Sequence, residues 1–240
     1  MDAVGYLTLG LVSGLASVER KGFLQAMLSR PIALGPLAGL ALGDVGGGLF
    51  VAAPLELLWL GAVNLGAALP VHEALGTATI AGGTVLALRE MSAARADPAL
   101  LPAVAALAVL VCSPLALVGR RADRLVERWN ERLYARAERD LAAGDAGGAA
   151  RANLYGLAIP FGIGFVLAPA GASAAAAVIP LVAVPAAVPA LALGWIAFAS
   201  FACASGAKAL RAARAPAFYF AAMGAGLLCL LAAGLSGARP

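Results

Sequence analysis

Between Ser29 and Glu73 the chain places Arg30, Asp44, Glu56, Asn64, His72 and Glu73 in a stretch that is otherwise apolar and is broken by Pro31, Pro36, Pro54 and Pro70. Charges inside a membrane segment are expensive, so each is a candidate for function. Glu56 sits in Pro54-Leu55-Glu56-Leu57-Leu58-Trp59. A carboxylate there either protonates or finds a partner. Two readings are open: an acceptor for substrate hydroxyls in a polar cavity, or a carboxylate that caps a broken helix or pairs with Arg30. Asn64 follows eight residues later, roughly 80° around a continuous helix, so the two side chains can border one cavity. Asn64 can equally serve an interhelical hydrogen bond. Asp44, in Leu42-Gly43-Asp44-Val45-Gly46, is a site candidate and also ordinary turn punctuation. Gln25 offers an amide that both donates to and accepts from hydroxyls, and it lies in a polar entry with Glu19, Arg20 and Lys21. The substrate-contact candidates are therefore Gln25, Asp44, Glu56, Asn64, His72 and Glu73.

The elements that must position these residues are membrane helices. Of 240 residues, 62% are hydrophobic and 12% charged, with a mean hydropathy of +0.91. An ordinary soluble domain carries roughly 25% charged residues, and the long Ala/Leu/Val/Gly runs do not alternate as barrel strands do. The expected fold class is all-α: a polytopic membrane protein with broken or re-entrant helices and one amphipathic cytoplasmic helix. We expect a single domain over residues 1–236, with a membrane part (1–119) holding the polar site, an amphipathic helix (120–152) and a second membrane part (153–236).

Residues 3–18 are apolar with no basic region before them and Asp2 at the start, so a retained segment is expected rather than a cleaved signal. Residues 31–43 are too short to span a bilayer, which needs about 20 residues; prolines and glycines at such places mark discontinuous helices. Residues 49–69 are long enough to span, and His72 and Glu73 end that segment. Residues 74–88 are apolar, and 99–119 form a plain span. Residues 120–152 carry arginine at 120, 124, 128, 132 and 136, with Asp123, Glu127 and Glu131 three residues after the first three of these. Ala122, Leu125, Trp129, Leu133, Ala137 and Leu141 make an apolar stripe. This reads as a cytoplasmic helix held by its stripe and by anionic lipid, ended by Gly144, Gly147 and Gly148. Residues 153–207 hold no charge and fit two spans with a connection through Pro180, Pro185 and Pro189. Lys208, Arg211 and Arg214 form a second basic cluster, and 216–236 a last span. The positive-inside rule puts both basic clusters on one side, so an even number of crossings separates them.

Several classes of chemistry have no residues to carry them. Cys112, Cys203 and Cys229 lie far apart in apolar segments, so neither a disulfide framework nor a metal site is indicated. His72 is the single histidine. There is no phosphate-binding GxxxxGK[ST] loop and no nucleophile–base pair, so no catalytic residue, cofactor or metal is expected. The net charge of +4 does not point to nucleic acid, and the arginines cluster in one polar segment as expected for a cytoplasmic loop.

The order Arg30-Pro31, Leu42-Gly43-Asp44, Leu55-Glu56 and Gly66-Ala67-Ala68 resembles the membrane subunit IIC of the mannose/fructose/sorbose-type bacterial sugar phosphotransferase system (PTS). The resemblance continues more weakly through the polar helix and Arg214…Pro216…Phe218-Tyr219. It implies a sugar-translocating permease subunit of the bacterial cytoplasmic membrane, not an enzyme on its own. It implies pairing with a second membrane subunit, IID, in an oligomer of IIC–IID pairs, and an elevator-like movement of the sugar. A soluble IIB subunit, supplied by IIA, then phosphorylates a hexose-type sugar at the expense of phosphoenolpyruvate. Gln25, Glu56 and Asn64 carry over as sugar contacts, with Asp44. The chain departs where the family has aspartate after Gly-Ala-Ala-x-x-Pro: it has Pro70-Val71-His72-Glu73, the first place to look for altered sugar preference. From the residues alone, an ion-coupled transporter using Glu56 or Asp44 as proton carrier, or a non-transporting sensing or assembly subunit, are the alternatives.

Overall fold

A helix that is apolar on every side belongs inside the fold, and Glu73–Glu90 is such a helix: every residue from Ala74 to Leu88 is buried. The computed structural model describes residues 3–21, 26–60, 72–91, 97–212 and Gly224. Its helices are α1 (Ala3–Glu19), α2 (Pro31–Ala41), α3 (Val45–Trp59), α4 (Glu73–Glu90), α5 (Leu100–Ala142), α6 (Ala146–Tyr155), α7 (Ala158–Val182) and α8 (Val188–Ala212). Helix α4 packs against α1, α2, α3, α5 and α7, while α6 rests on α5 and α7, and α8 on α3 and α5. The described residues form no strand. The fold is that of an all-α polytopic membrane protein.

The packing of α4 depends on small residues. Side chains on Gly76, Gly82 and Gly83 would meet Trp59 and Ala116, Leu9 and Ala172, and Ala175 respectively. Helices that associate in lipid gain little from apolar burial and rely on such close backbone approach.

The short apolar run at 31–43 is half of a helical hairpin. At 11 and 15 residues, α2 and α3 are roughly 16 and 22 Å long, each short of the ~30 Å hydrocarbon core. Pro31 starts α2 at a position where its missing N–H costs nothing. Gly43 turns the chain with φ +79°, and Asp44 caps α3 by accepting from the Gly47 N–H at 2.8 Å. The two legs touch through glycine: a Cβ on Gly48 would lie 2.3 Å from the Gly35 carbonyl oxygen and 3.0 Å from Gly39 Cα. From α4, the Arg89 guanidinium donates to the Leu42 carbonyl and pins the turn.

Among the described residues, three stretches are long and apolar enough to cross a membrane: Leu100–Ala142, Ala146–Val182 and Val188–Leu210. The second is two helices, α6 and α7, meeting at Gly156 and Leu157, and α7 alone, with 25 residues, exceeds the about 20 that a span needs. The link between α7 and α8 is residues 183–187 around Pro185. Pro180 lies in the last turns of α7 and Pro189 in the first turn of α8.

Several expectations change. The span at 99–119 and the polar helix after it are one helix, α5, of 43 residues; at about 65 Å it outruns any bilayer. Composition changes at Arg120, but arginine and glutamate favour helix as much as leucine does. The helix stops at Ala142, where Gly144 takes φ +82°; Gly147 and Gly148 begin α6, which Asp145 caps, instead of ending the preceding helix. Leu125, Trp129 and Leu141 of the apolar stripe are exposed. His72 and Glu73 begin α4, and residues 61–71 before them lie outside the described residues. Apart from Gly224, residues 216–236 fall outside the described residues, as does Arg214.

Candidate substrate site

The open end of the α2–α3 hairpin is closed by charge. Glu56, in the last turn of α3, reaches the first turn of α2. Its Oε1 accepts from Arg30 Nε at 2.9 Å and from Arg30 Nη2, and its Oε2 accepts from the Ile32 N–H at 3.2 Å. Helix starts leave backbone N–H groups unpaired and favour negative charge, so the carboxylate serves arginine and helix together. The side chains of Arg30 and Glu56 are 27% and 17% exposed, so the pair remains reachable.

Other charges gather at the same end of the bundle. Glu19, at the end of α1, is buried; its Oε2 accepts from the Ser29 N–H, while its Oε1 has no partner among the described residues. Glu73, in the first turn of α4, lies within electrostatic range of Arg30, Arg20 and Glu56. His72 is 2% exposed and caps α4, its Nδ1 accepting from the Leu75 N–H at 3.1 Å. In the neutral ring this places the proton on Nε2.

Behind this cluster α1 is clasped to α5. Asp123 is 1% exposed, with Oδ2 2.7 Å from Arg20 Nη1 and Oδ1 2.9 Å from Lys21 Nζ. Asp123 is in the polar half of α5, beyond its apolar segment. Burial raises its pKa, but Arg20, Lys21 and the field of His72 outweigh burial and hold it below the usual carboxylate value.

The structure thus brings Glu56, His72 and Glu73 to one end of the bundle. Asp44 lies twelve residues before Glu56 on α3, about 18 Å along the helix, at the hairpin's other end. Gln25 and Asn64 lie outside the described residues. Sequence reasoning passed over four participants. Glu19, Arg20 and Lys21 read as a solvated entry, and Asp123 read as the i+3 partner of Arg120. A signal was available: Asp123 is the first acid after an apolar run, where a buried partner competes with a solvated one. A cleft of about 530 Å³ opens at the opposite end of α4, lined by Tyr6, Leu42, Arg89 and Glu90 among others. There Arg89 is already committed to the Leu42 carbonyl, so we read this cleft as the rim of the hairpin turn.

The profile of the family described as the PTS system sorbose-specific IIC component matches residues 3–193. The chain belongs to this IIC family. It is similar to an Escherichia coli (strain K12) protein provisionally named N-acetylgalactosamine permease IIC component 2, at 39% identity over 69 residues, 29% of this chain and 51% of that protein. The chain therefore spans about half the length of this curated relative. Two solved structures share the fold: a membrane protein with a TM-score of 0.67 at 20% identity, covering 99% of this chain and 94% of that one; and the mannose transporter ManYZ in complex with microcin E492 (MceA), with a TM-score of 0.60 at 18% identity, covering 100% and 97%. The expected family and the all-α membrane fold both hold, and the chain is a multi-pass membrane protein of that family.

Proposed function

We propose that this IIC chain is the translocating subunit for a hexose-type sugar in the bacterial cytoplasmic membrane, working beside a IID subunit and delivering the sugar to a soluble IIB subunit for phosphorylation. The observation that carries the reading is the partly exposed Arg30–Glu56 pair at the open end of a re-entrant hairpin, with Glu73 in its field. A carboxylate and a guanidinium side by side offer acceptors and donors to neighbouring hydroxyls. In a site closed to water, each hydroxyl left unmatched costs about 1–3 kcal/mol, enough to separate one epimer from another. Gln25 and Asn64 supply amides to the same sugar. His72 and Glu73, where the family's aspartate is replaced, adjust which sugar is preferred. Asp44 serves the site from the far end of the hairpin by fixing α3.

The test is uptake of labelled sugar into membrane vesicles that hold this chain with IID, IIB and IIA. Accumulation of sugar phosphate that requires phosphoenolpyruvate and survives an uncoupler is expected. Accumulation of free sugar that collapses with the uncoupler and continues without phosphoenolpyruvate would make the chain an ion-coupled transporter instead.

A further inference from the structure

Among the described residues three buried side-chain oxygens have no hydrogen-bond partner: Ser13 Oγ, Glu19 Oε1 and Thr77 Oγ1. Buried hydroxyls and carboxylates are nearly always paired, and each exception calls for an explanation. Helix α4 supplies its own comparison. It carries Thr77, Thr79 and Thr84, all 0% exposed. Thr79 donates to the Leu75 carbonyl at 2.8 Å and Thr84 to the Ile80 carbonyl at 2.8 Å, the usual way for a hydroxyl on an apolar helix to be satisfied. Thr77 has the equivalent carbonyl, that of Glu73, one turn before it and does not take it.

The position of Thr77 gives that idle hydroxyl a direction. Residues four apart lie on one helix face, so Thr77 stands one turn behind Glu73, which feels Arg30 and Glu56. Trp59, the last residue of α3, packs on the adjacent Gly76. Thr77 therefore lies in the layer directly behind the charged cluster. Glu19 lies on the cluster's other flank: its Oε2 holds the backbone of Ser29, next to Arg30, and its Oε1 is idle. Ser13 is six residues, about 9 Å, further back along α1, where its carbonyl abuts Gly164 of α7, and it takes no part.

We propose that Thr77 Oγ1 and Glu19 Oε1 are further sugar contacts, which with the Arg30–Glu56 pair complete a site for an uncharged polyol. This rests on the sugar-permease reading above. A carboxylate oxygen only accepts, while a threonine hydroxyl donates once and accepts twice. Sugar hydroxyls do both and match either partner. A carboxylate or phosphate ligand gives Glu19 nothing to accept and meets its charge.

The substitutions are Thr77→Val, Thr77→Ser and Glu19→Gln in the full permease. The probes are labelled sorbose, mannose and N-acetylgalactosamine, using whichever the unsubstituted permease takes up, and then that sugar's deoxy analogues. Thr77→Val is expected to raise KM about tenfold with little change in maximal rate, Thr77→Ser to recover most of that loss, and Glu19→Gln to raise KM as well. The Thr77→Val penalty should vanish for the one deoxy sugar that lacks the matching hydroxyl. Because valine has the same shape and no idle hydroxyl, Thr77→Val should also raise the thermal midpoint of the purified chain by about 2–4 °C. Unchanged KM in Thr77→Val and Glu19→Gln, or a penalty equal for every deoxy analogue, overturns the inference and leaves the sugar-permease reading intact. Uptake of none of the three sugars by the unsubstituted permease removes that reading, and this inference with it.

Discussion

Replacing Asp123 with alanine removes the one carboxylate that ties the end of α1 to α5. Its side chain is 2% exposed, and those of Arg20 and Lys21 are 7% and 24% exposed. The substitution removes the buried carboxylate that the two cations share. Removing one partner of a buried ion pair costs about 3–5 kcal/mol. For a chain of this size about 1 kcal/mol moves the thermal midpoint by about 2–4 °C, so Asp123→Ala should lower it by roughly 6–20 °C. The comparison is Arg136→Ala, which breaks an ion pair at 3.8 Å whose side chains are 61% and 27% exposed. Solvent-exposed pairs contribute at most about 1 kcal/mol, so this variant should move little. The assay is thermal loss of the monodisperse peak of detergent-purified protein on a sizing column. If Asp123→Ala and Arg136→Ala melt within about 2 °C of each other, the clasp is not holding α1 to α5.

Three further outcomes follow from the same geometry. The folded pKa of Asp123 lies below its unfolded value near 3.8, so its stabilisation is complete above that value and is lost as pH falls through the folded pKa; the gap in thermal midpoint between the parent and Asp123→Asn should stay constant from pH 7 to about 4 and close below that. Gly48→Ala puts a methyl group against the backbone of Gly35 and Gly39, which cannot rotate aside; it should destabilise by about 1–3 kcal/mol, seen as faster cleavage by protease in vesicles, and parental resistance would refute the close hairpin contact. His72→Ala removes a helix cap worth about 1 kcal/mol, and His72→Asn should restore the lost thermal midpoint; uptake measured beside it shows whether the imidazole also meets sugar, since a cap alone is replaced by asparagine and a sugar contact is not.

The membrane helices and the hairpin were legible because hydrophobic length and proline punctuation are local signals. The span after Asn153 resolved into α7 and α8 with Pro185 at the turn for that reason. The Arg30–Glu56 pair was legible as an alternative, since an acid and a base 26 residues apart in an apolar stretch have few other partners. The Arg20–Lys21–Asp123 clasp was not. Its members are about a hundred residues apart, and Asp123 had Arg120 within i+3 reach, a local partner that burial overrode. The central place of α4 was equally hidden, because a helix apolar on all faces has no amphipathic stripe to show its neighbours. The idle hydroxyl of Thr77 needed the structure, for only the hydrogen bonds of Thr79 and Thr84 make its lack of one visible. Gln25 and Asn64, chosen for their amides and again by resemblance, lie outside the described residues.

The central claim is that sugar passes through a site organised by Glu56. The most direct measurement is phosphoenolpyruvate-dependent sugar uptake by Glu56→Gln and Asn64→Ala, each with its amount in the membrane determined in parallel. Uptake lost in both variants, with parental amounts inserted, is the predicted result; uptake at the parental rate in either variant would contradict that residue's place in the site.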